Sequence, residues 1–203
     1  MDDQSRRVSD VDRERAIAAL RDDLLAGRLT LEEFSERAGA AYAAMVGADL
    51  ARLREDLPEP VSATADLRRT IWLTAGLFGH VVRRGRLRLR RHTVTVSAFA
   101  DVDYDLRAAQ IDSSRVVVHI LGLFGNVDLY VPEGIGVEVG GTILFGRRRD
   151  WGEDNAFPEA PRLRVRAHGF VCTVDVWRIP HGLRGSYGDL ISKMKARQRE
   201  LPA

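Results

Sequence analysis

The side chains best suited to metal or nucleophilic chemistry in this 203-residue chain are five histidines, His80, His92, His119, His168 and His181, and one cysteine, Cys172. No set of them falls in a common metal-ligand pattern. His80 and His168 each stand beside a phenylalanine of the repeat described below, and read as turn or surface groups. Cys172 reads as a small buried apolar residue. As the lone cysteine it has no partner for an internal disulfide, which fits a reducing compartment. Asp101, Asp103 and Asp105 alternate, so they share one face of a strand. Asp128 and Asp175 recur in the same Val-Asp-apolar context as Asp103 and are expected to stack near it. Calcium needs oxygens converging from several sides; a one-sided row reads as a solvated carboxylate ladder. The string Gly134-Ile135-Gly136-Val137-Glu138-Val139-Gly140-Gly141 has its third glycine one place late for a dinucleotide loop, and strands follow it rather than a helix. There is no phosphate loop, nucleophile elbow or HExxH motif. These residues name no reaction and no cofactor, and the expectation is a non-enzymatic protein.

Charge supplies the sharper candidates. Arg84, Arg86, Arg88 and Arg90, with Arg83 and Arg91, crowd what reads as one strand, with Leu87 and Leu89 on its opposite side. Arg147, Arg148 and Arg149 follow a second turn. If distant strands stack, Arg84, Arg86, Arg88, Arg90, Arg147, Arg148 and Arg149 join into one basic interaction face. Arginine is enriched at protein interfaces, and such a face also fits a nucleic-acid backbone without reading bases. Residues 1–60 hold 14 acids and 9 arginines, and the remainder 22 bases and 15 acids, so the overall +2 divides into an acidic head and a basic body. The asymmetry permits contacts between copies or with a polyanion.

The acidic head, 1–58, is helical. Ser9 to Asp12 comes close to a capping box, and Thr30 to Glu33 is a full one. Ile17, Leu20 and Leu24 line the first helix, and Gly27 follows it as the left-handed residue. Leu31, Phe34, Ala38, Ala41 and Met45 line the second helix. Leu50, Leu53 and Leu57 face inward from a short third segment that Pro58 and Pro60 end. So small a unit buries little apolar surface and must lean on the body or on another copy. Arg6-Arg7-Val8-Ser9-Asp10, Asp12-Arg13-Glu14-Arg15 and Gly27-Arg28-Leu29-Thr30-Leu31-Glu32-Glu33-Phe34 resemble the actinobacterial domain of unknown function 1707, a relative of the SHOCT short helical domains. The resemblance implies a role in oligomerisation or tethering.

A linker is expected over 59–70, where Pro, Ser, Thr and Ala replace any apolar period. The body, 71–180, repeats itself. Phe78, Phe99, Phe124, Phe145 and Phe170 are separated by 21, 25, 21 and 25 residues. Gly76-Leu77-Phe78-Gly79, Gly122-Leu123-Phe124-Gly125 and Ile143-Leu144-Phe145-Gly146 echo one another. Short alternating strands at this period predict stacked coils, a β-solenoid-like body with the five rings as a ladder inside it. On that expectation Phe124→Ala leaves a core cavity. The run Leu121-Gly122-Leu123-Phe124-Gly125-Asn126-Val127-Asp128-Leu129-Tyr130-Val131-Pro132 is similar to the C-terminal domain of LiaF-type proteins, the cell-wall-active antibiotics response family. That resemblance, over about Leu73 to Arg178, implies a β-solenoid-like fold and a regulatory role restraining an envelope-stress sensor kinase. The tail, 181–203, reads as a helix whose Leu190, Ile191 and Met194 cap the open end of the stack.

With 45% hydrophobic and 30% charged residues the chain has ordinary globular composition. The longest apolar stretch, Ile71 to Val82, is about twelve residues against the twenty or so a spanning helix needs. The polar N-terminus has no apolar core of a signal peptide. The fold class expected is α+β, mainly β. The expected role is a cytoplasmic regulatory or adaptor protein, free or peripheral to the inner face of the membrane, with a protein partner such as a sensor kinase, or itself. A self-assembling scaffold and a nucleic-acid-binding regulator are the alternatives.

Overall fold

The computed structural model describes residues 6–57, 70–152 and 155–200. All of the expected linker but Thr70 lies outside these residues, as do Pro58 and Pro60. In the head, α1 (Asp10–Leu25), α2 (Leu31–Ala43) and α3 (Gly47–Arg52) follow in order. Both capping boxes form: Ser9 pairs reciprocally with Asp12, and Thr30 with Glu33. Gly27 takes φ 75° just past the end of α1, a backbone region that glycine enters without strain. Ile17, Leu20, Leu24, Phe34, Ala38 and Ala41 are fully buried. Met45 departs from the expected apolar face and is 75% exposed. Ala44 is already extended, so Met45 lies beyond the helical period.

The body is α+β, mainly β: one all-parallel sheet of six strands, with α4 (Tyr187–Glu200) after it. The strands are β1 (Thr70–Arg83), β2 (Arg88–Asp105), the two-residue β3 (Gln110–Ile111), β4 (Arg115–Pro132), β5 (Gly136–Trp151) and β6 (Arg162–Ile179). Their spatial order is β1-β2-β4-β6-β5, with β3 against the start of β2. A stack of coils in chain order would set β5 beside β4. Instead β6 lies between them and pairs along its length with both.

The connections require every long strand to fold back on itself. Thr70 pairs with Arg88, although β1 ends at Arg83. A straight strand of that length would end about 45 Å from its start, and the few intervening residues reach only about 15 Å. Within β2, Thr95 Oγ1 and Tyr104 Oη meet at 2.7 Å across nine residues, and Ser97 Oγ donates to the Ala100 carbonyl at 2.6 Å. The strand therefore turns over between Ser97 and Ala100. Its neighbours turn at the same register, giving the sheet two arms joined along a fold line. Between the arms lies the core: Val118, Ile120 and Val165 from the first, Val102, Val127, Leu129, Val174 and Val176 from the second, all buried.

The head leans on this body. The first two amides of α2, Leu31 and Glu32, donate to the carbonyls of Ala109 and Arg107, each at 2.9 Å, so helix-end donors that would lack an internal partner are satisfied by the sheet's connections. Tyr42 stacks on Phe157 with centroids 5.4 Å apart, and Arg21 pairs with Glu159 at 2.5 Å. One continuous apolar cluster runs from Ile17 and Phe34 to Val174 and Val176. In the tail, α4 buries Leu190 and Met194 against Tyr130, Trp177 and Ile179. It touches the ends of β5 and β6, so it covers strand ends on the second arm rather than the outer strand alone. No helix among the described residues is long and apolar enough to cross a membrane.

Candidate interaction surface

The five phenylalanines meet, but on the outside. Phe78, Phe99 and Phe124 share one register row. Their rings lie 5.5 and 4.9 Å apart, within 8° of parallel. On β6 that row is held by Val171, which pairs with both Phe124 and Phe145. The ring of Phe170, one residue earlier, sits edge-on to Phe124 at 6.0 Å and to Phe145 at 5.3 Å. The ladder expected inside the body is thus an exposed ridge: Phe78 is 78% accessible and even Phe124 is 38%. The cause is the tightness of the fold. A Cβ on Gly122 would lie 2.9 Å from Cys172 Sγ, and one on Gly125 would lie 2.3 Å from the Ala100 carbonyl oxygen. Ser97, Ala100, Gly122, Gly125 and Cys172 fill the inner side of the bend, leaving no space for a ring. Leu77, Leu123 and Leu144 join the ridge outside, and a shallow apolar groove runs beside it between Val96, Leu121, Leu144 and Phe170.

The outer face of the first arm is basic. The arginine cluster expected on one strand spans a turn: Arg83 ends β1, Arg84 and Arg86 lie in the connection, and Arg88 and Arg90 begin β2. Gly85, at φ 90°, makes the break. Leu87 and Leu89 point inward and are buried. The β1–β2 register slips here, Ile71 opposite Leu89 but Leu73 opposite Val94, and this bulge leaves Arg90, Arg91 and His92 all exposed. With Arg88, Trp72 and Asp112 they line a hollow. Arg115 pairs in register with Arg162, and Arg164 and Arg166 continue the face. His119 stacks on His92 at 6.1 Å. The acid in this row, Glu138, pairs with Arg164 at 2.6 Å; that hydrogen-bonded guanidinium holds its carboxyl below the usual range. Arg147, Arg148 and Arg149 lie elsewhere, on the second arm of edge strand β5. The seven arginines singled out in the sequence are therefore two separate groups, at opposite sides of the sheet. Arg115, Arg162, Arg164 and Arg166 are the additions, and the alternation of the last three with Leu163 and Val165 was their signal.

The outer face of the second arm is acidic, but it is not the solvated ladder expected, because Asp103 is buried and Asp175 nearly so. Asp103, Asp128 and Asp175 stand in one register row, ending at Arg149, as the repeated Val-Asp-apolar strands implied. Arg149 Nε donates to Asp175 at 2.9 Å, and His80 Nε2 is 2.8 Å from Asp103. Asp101 accepts the Asn126 backbone amide at 2.8 Å. Burial, with added repulsion from Asp175, Asp103 and Asp101, pushes the Asp128 carboxyl up to about 6, against the opposing hydrogen bond from Trp177. Trp151 and Trp177 stack 5.0 Å apart, with Lys195 of α4 over both rings. Cys172 is buried, and burial pushes its thiol up. Among the described residues no group of three or more His, Cys, Asp or Glu is placed to hold a metal ion.

Residues 6–58 match the DUF1707 SHOCT-like domain, and residues 89–157 match the C-terminal domain of the cell wall-active antibiotics response protein LiaF. Two uncharacterised Mycobacterium tuberculosis proteins, from strains CDC 1551 / Oshkosh and ATCC 25618 / H37Rv, are each 30% identical over 187 residues, covering 88% of this chain and 91% of their own length. No solved structure matches. The chain belongs to the family of these mycobacterial proteins and joins a DUF1707 SHOCT-like head to a LiaF-like C-terminal domain.

Proposed function

We propose that this protein is a non-enzymatic regulatory adaptor of the cell-envelope stress response, acting in the cytoplasm or at the inner face of the membrane. The LiaF-like domain supplies the context. The observation that carries the adaptor reading is the basic outer face of the first arm, where Arg88, Arg90, Arg115, Arg162 and Arg166 stand exposed. Guanidinium groups arrayed on a rigid sheet bind carboxylates in fork geometry, so the partner is a protein with an acidic surface, a sensor kinase being the expected class. Arg84 and Arg86 extend this face, and Arg147, Arg148 and Arg149 form a second contact. In-cell crosslinking with the intact chain, read by mass spectrometry, tests the reading. Recovery of an envelope-stress protein, lost in Arg86→Ala/Arg88→Ala/Arg90→Ala, supports it. Recovery of this chain alone removes the kinase partner.

One observation favours a second reading. The sheet ends in two long edges, the 14-residue β1 and the 16-residue β5, and unpaired edges are templates for further strands. If the folded strands act as coils of a solenoid-like stack, β1 of one copy meets β5 of the next in a self-assembled scaffold. Growth with concentration in light scattering marks that outcome. Salt-sensitive retention on DNA, abolished by the same arginine variants, marks the nucleic-acid alternative.

A further inference from the structure

We propose that the fold line is a membrane-contact edge, whose exposed phenylalanine and leucine side chains insert into the interfacial layer of an anionic bilayer while the arginines beside it meet lipid phosphates. This goes beyond the adaptor reading and uses a different part of the surface.

The first ground is the amount of apolar surface in one line. Leu77, Phe78, Leu144 and Phe145 are 62–78% exposed. At the usual strand spacing the ridge is about 20 Å long, and at roughly 200 Å² per full ring its phenylalanines alone offer about 500 Å². That equals the largest apolar patch of an ordinary monomer before the leucines are added.

The second ground is shape. The ridge is the crest of a bend, convex along its length, because each strand turns over beneath it. Two such crests touch along a line, and a folded partner would need a matching groove. A fluid bilayer closes around a convex edge. At the phenylalanine row the strands are paired in sequence from Phe78 to Phe145. There the inner strands β2, β4 and β6 bring backbone that already has partners on both sides, and only the outer edges of β1 and β5 do not.

The third ground is charge. Arg147 and Arg148 follow Phe145 and Gly146, and Arg166 stands four residues before Phe170, all three exposed. The acid at the ridge, Asp101, is held by Asn126. Two copies packed crest to crest would oppose these cations, whereas anionic headgroups pair with them. The carboxylate row of Asp103, Asp128 and Asp175 lies on the other arm's outer face, away from Arg166.

The test is co-sedimentation of the full chain with vesicles of phosphatidylcholine alone, or with about three parts in ten phosphatidylglycerol. The expected result is binding to the anionic vesicles that falls about tenfold or more in Phe78→Ser/Phe145→Ser. Arg147→Ala/Arg148→Ala is expected to weaken it several-fold, and added salt to weaken it further. These side chains are exposed, and an unchanged circular dichroism melt verifies that the variants fold. Intact chain left in the supernatant overturns the proposal, as does ridge-variant binding equal to that of the intact chain. A dimer dispersed by the ridge substitutions, without vesicle binding, assigns the ridge to a second copy instead. Loss of the protein partner in Arg86→Ala/Arg88→Ala/Arg90→Ala is read separately, so either proposal fails without the other.

Discussion

The indole Nε1 of Trp177 donates to Asp128 Oδ1 at 2.7 Å, two residues along from Asp175, the register partner of Asp128. The bond ties the carboxylate row to the aromatic pair beneath α4. It does not cancel the cost of charging a carboxyl among other carboxyls, and Asp128 titrates near 6.

That upward shift sets a sign for pH dependence. An unfolded aspartate ionises near 3.8, so between about 4 and 6 the folded chain holds a proton that the unfolded chain has released. Stability from this site is therefore greatest at the acid end of that window and declines as pH rises through 6. Asp128→Asn keeps an acceptor for Trp177 and removes the titration. It is expected to raise stability at pH 8 by about 1–2 kcal/mol, discounted for partial solvent access, and to change little at pH 4. Urea melts at the two pH values check this; an equal gain at both would assign the effect elsewhere.

Asp23 is fully buried and pairs with both Arg28 and Arg54, the latter at 2.6 Å. Asp23→Ala leaves two guanidinium groups without their anion and is expected to cost about 3–5 kcal/mol. Because head and sheet share one core, the loss is expected as a single lowered transition in calorimetry. A head that melts alone would contradict the shared core.

Phe34→Ala and Phe124→Ala separate core from ridge. Phe34 is fully buried, and truncating it is expected to cost about 3–5 kcal/mol. Phe124 is 38% exposed, and its loss is expected to cost about 1–2 kcal/mol, since only part of its apolar area leaves water on folding. Chemical denaturation of the pair measures the difference.

Two glycines after ridge phenylalanines test the bend. Gly79 has φ 93° and open space where a Cβ would go; Gly125 has φ 133° and a carbonyl 2.3 Å from that point. Gly79→Ala is expected to cost about 1–2 kcal/mol, from backbone strain alone. Gly125→Ala is expected to cost clearly more, read as a lower urea midpoint.

The local grammar of this chain was legible. Ser9 to Asp12 and Thr30 to Glu33 cap helices because each box is complete within four residues. The spacing of Phe78, Phe99 and Phe124 brought them into one row, and the Val-Asp-apolar copies aligned Asp103, Asp128 and Asp175. Which side of the sheet the rings take was not legible. At a bend the alternation of faces is interrupted, and the deciding facts are the distances from Gly122 to Cys172 and from Gly125 to Ala100, across strands. Periodicity also cannot order strands that resemble one another, so the place of β6 between β4 and β5 was hidden. The split of the arginine run was available in Gly85, a residue that breaks a strand as readily as it bends one.

That strand order carries a consequence for how the chain is made. β6 is the last strand to leave the ribosome, yet it holds two ladders, one to β4 and one to β5. Until residue 179 emerges, β5 has no neighbour in the sheet and β4 keeps an open edge. The nascent chain thus passes through an interval in which a Val- and Ile-bearing strand awaits a distant mate, the kind of long-range closure that folds slowly and invites mispairing. A stop codon before Arg162 would leave two incomplete edges at once, and quality control in the cell would meet a sticky fragment rather than a shorter version of the same protein.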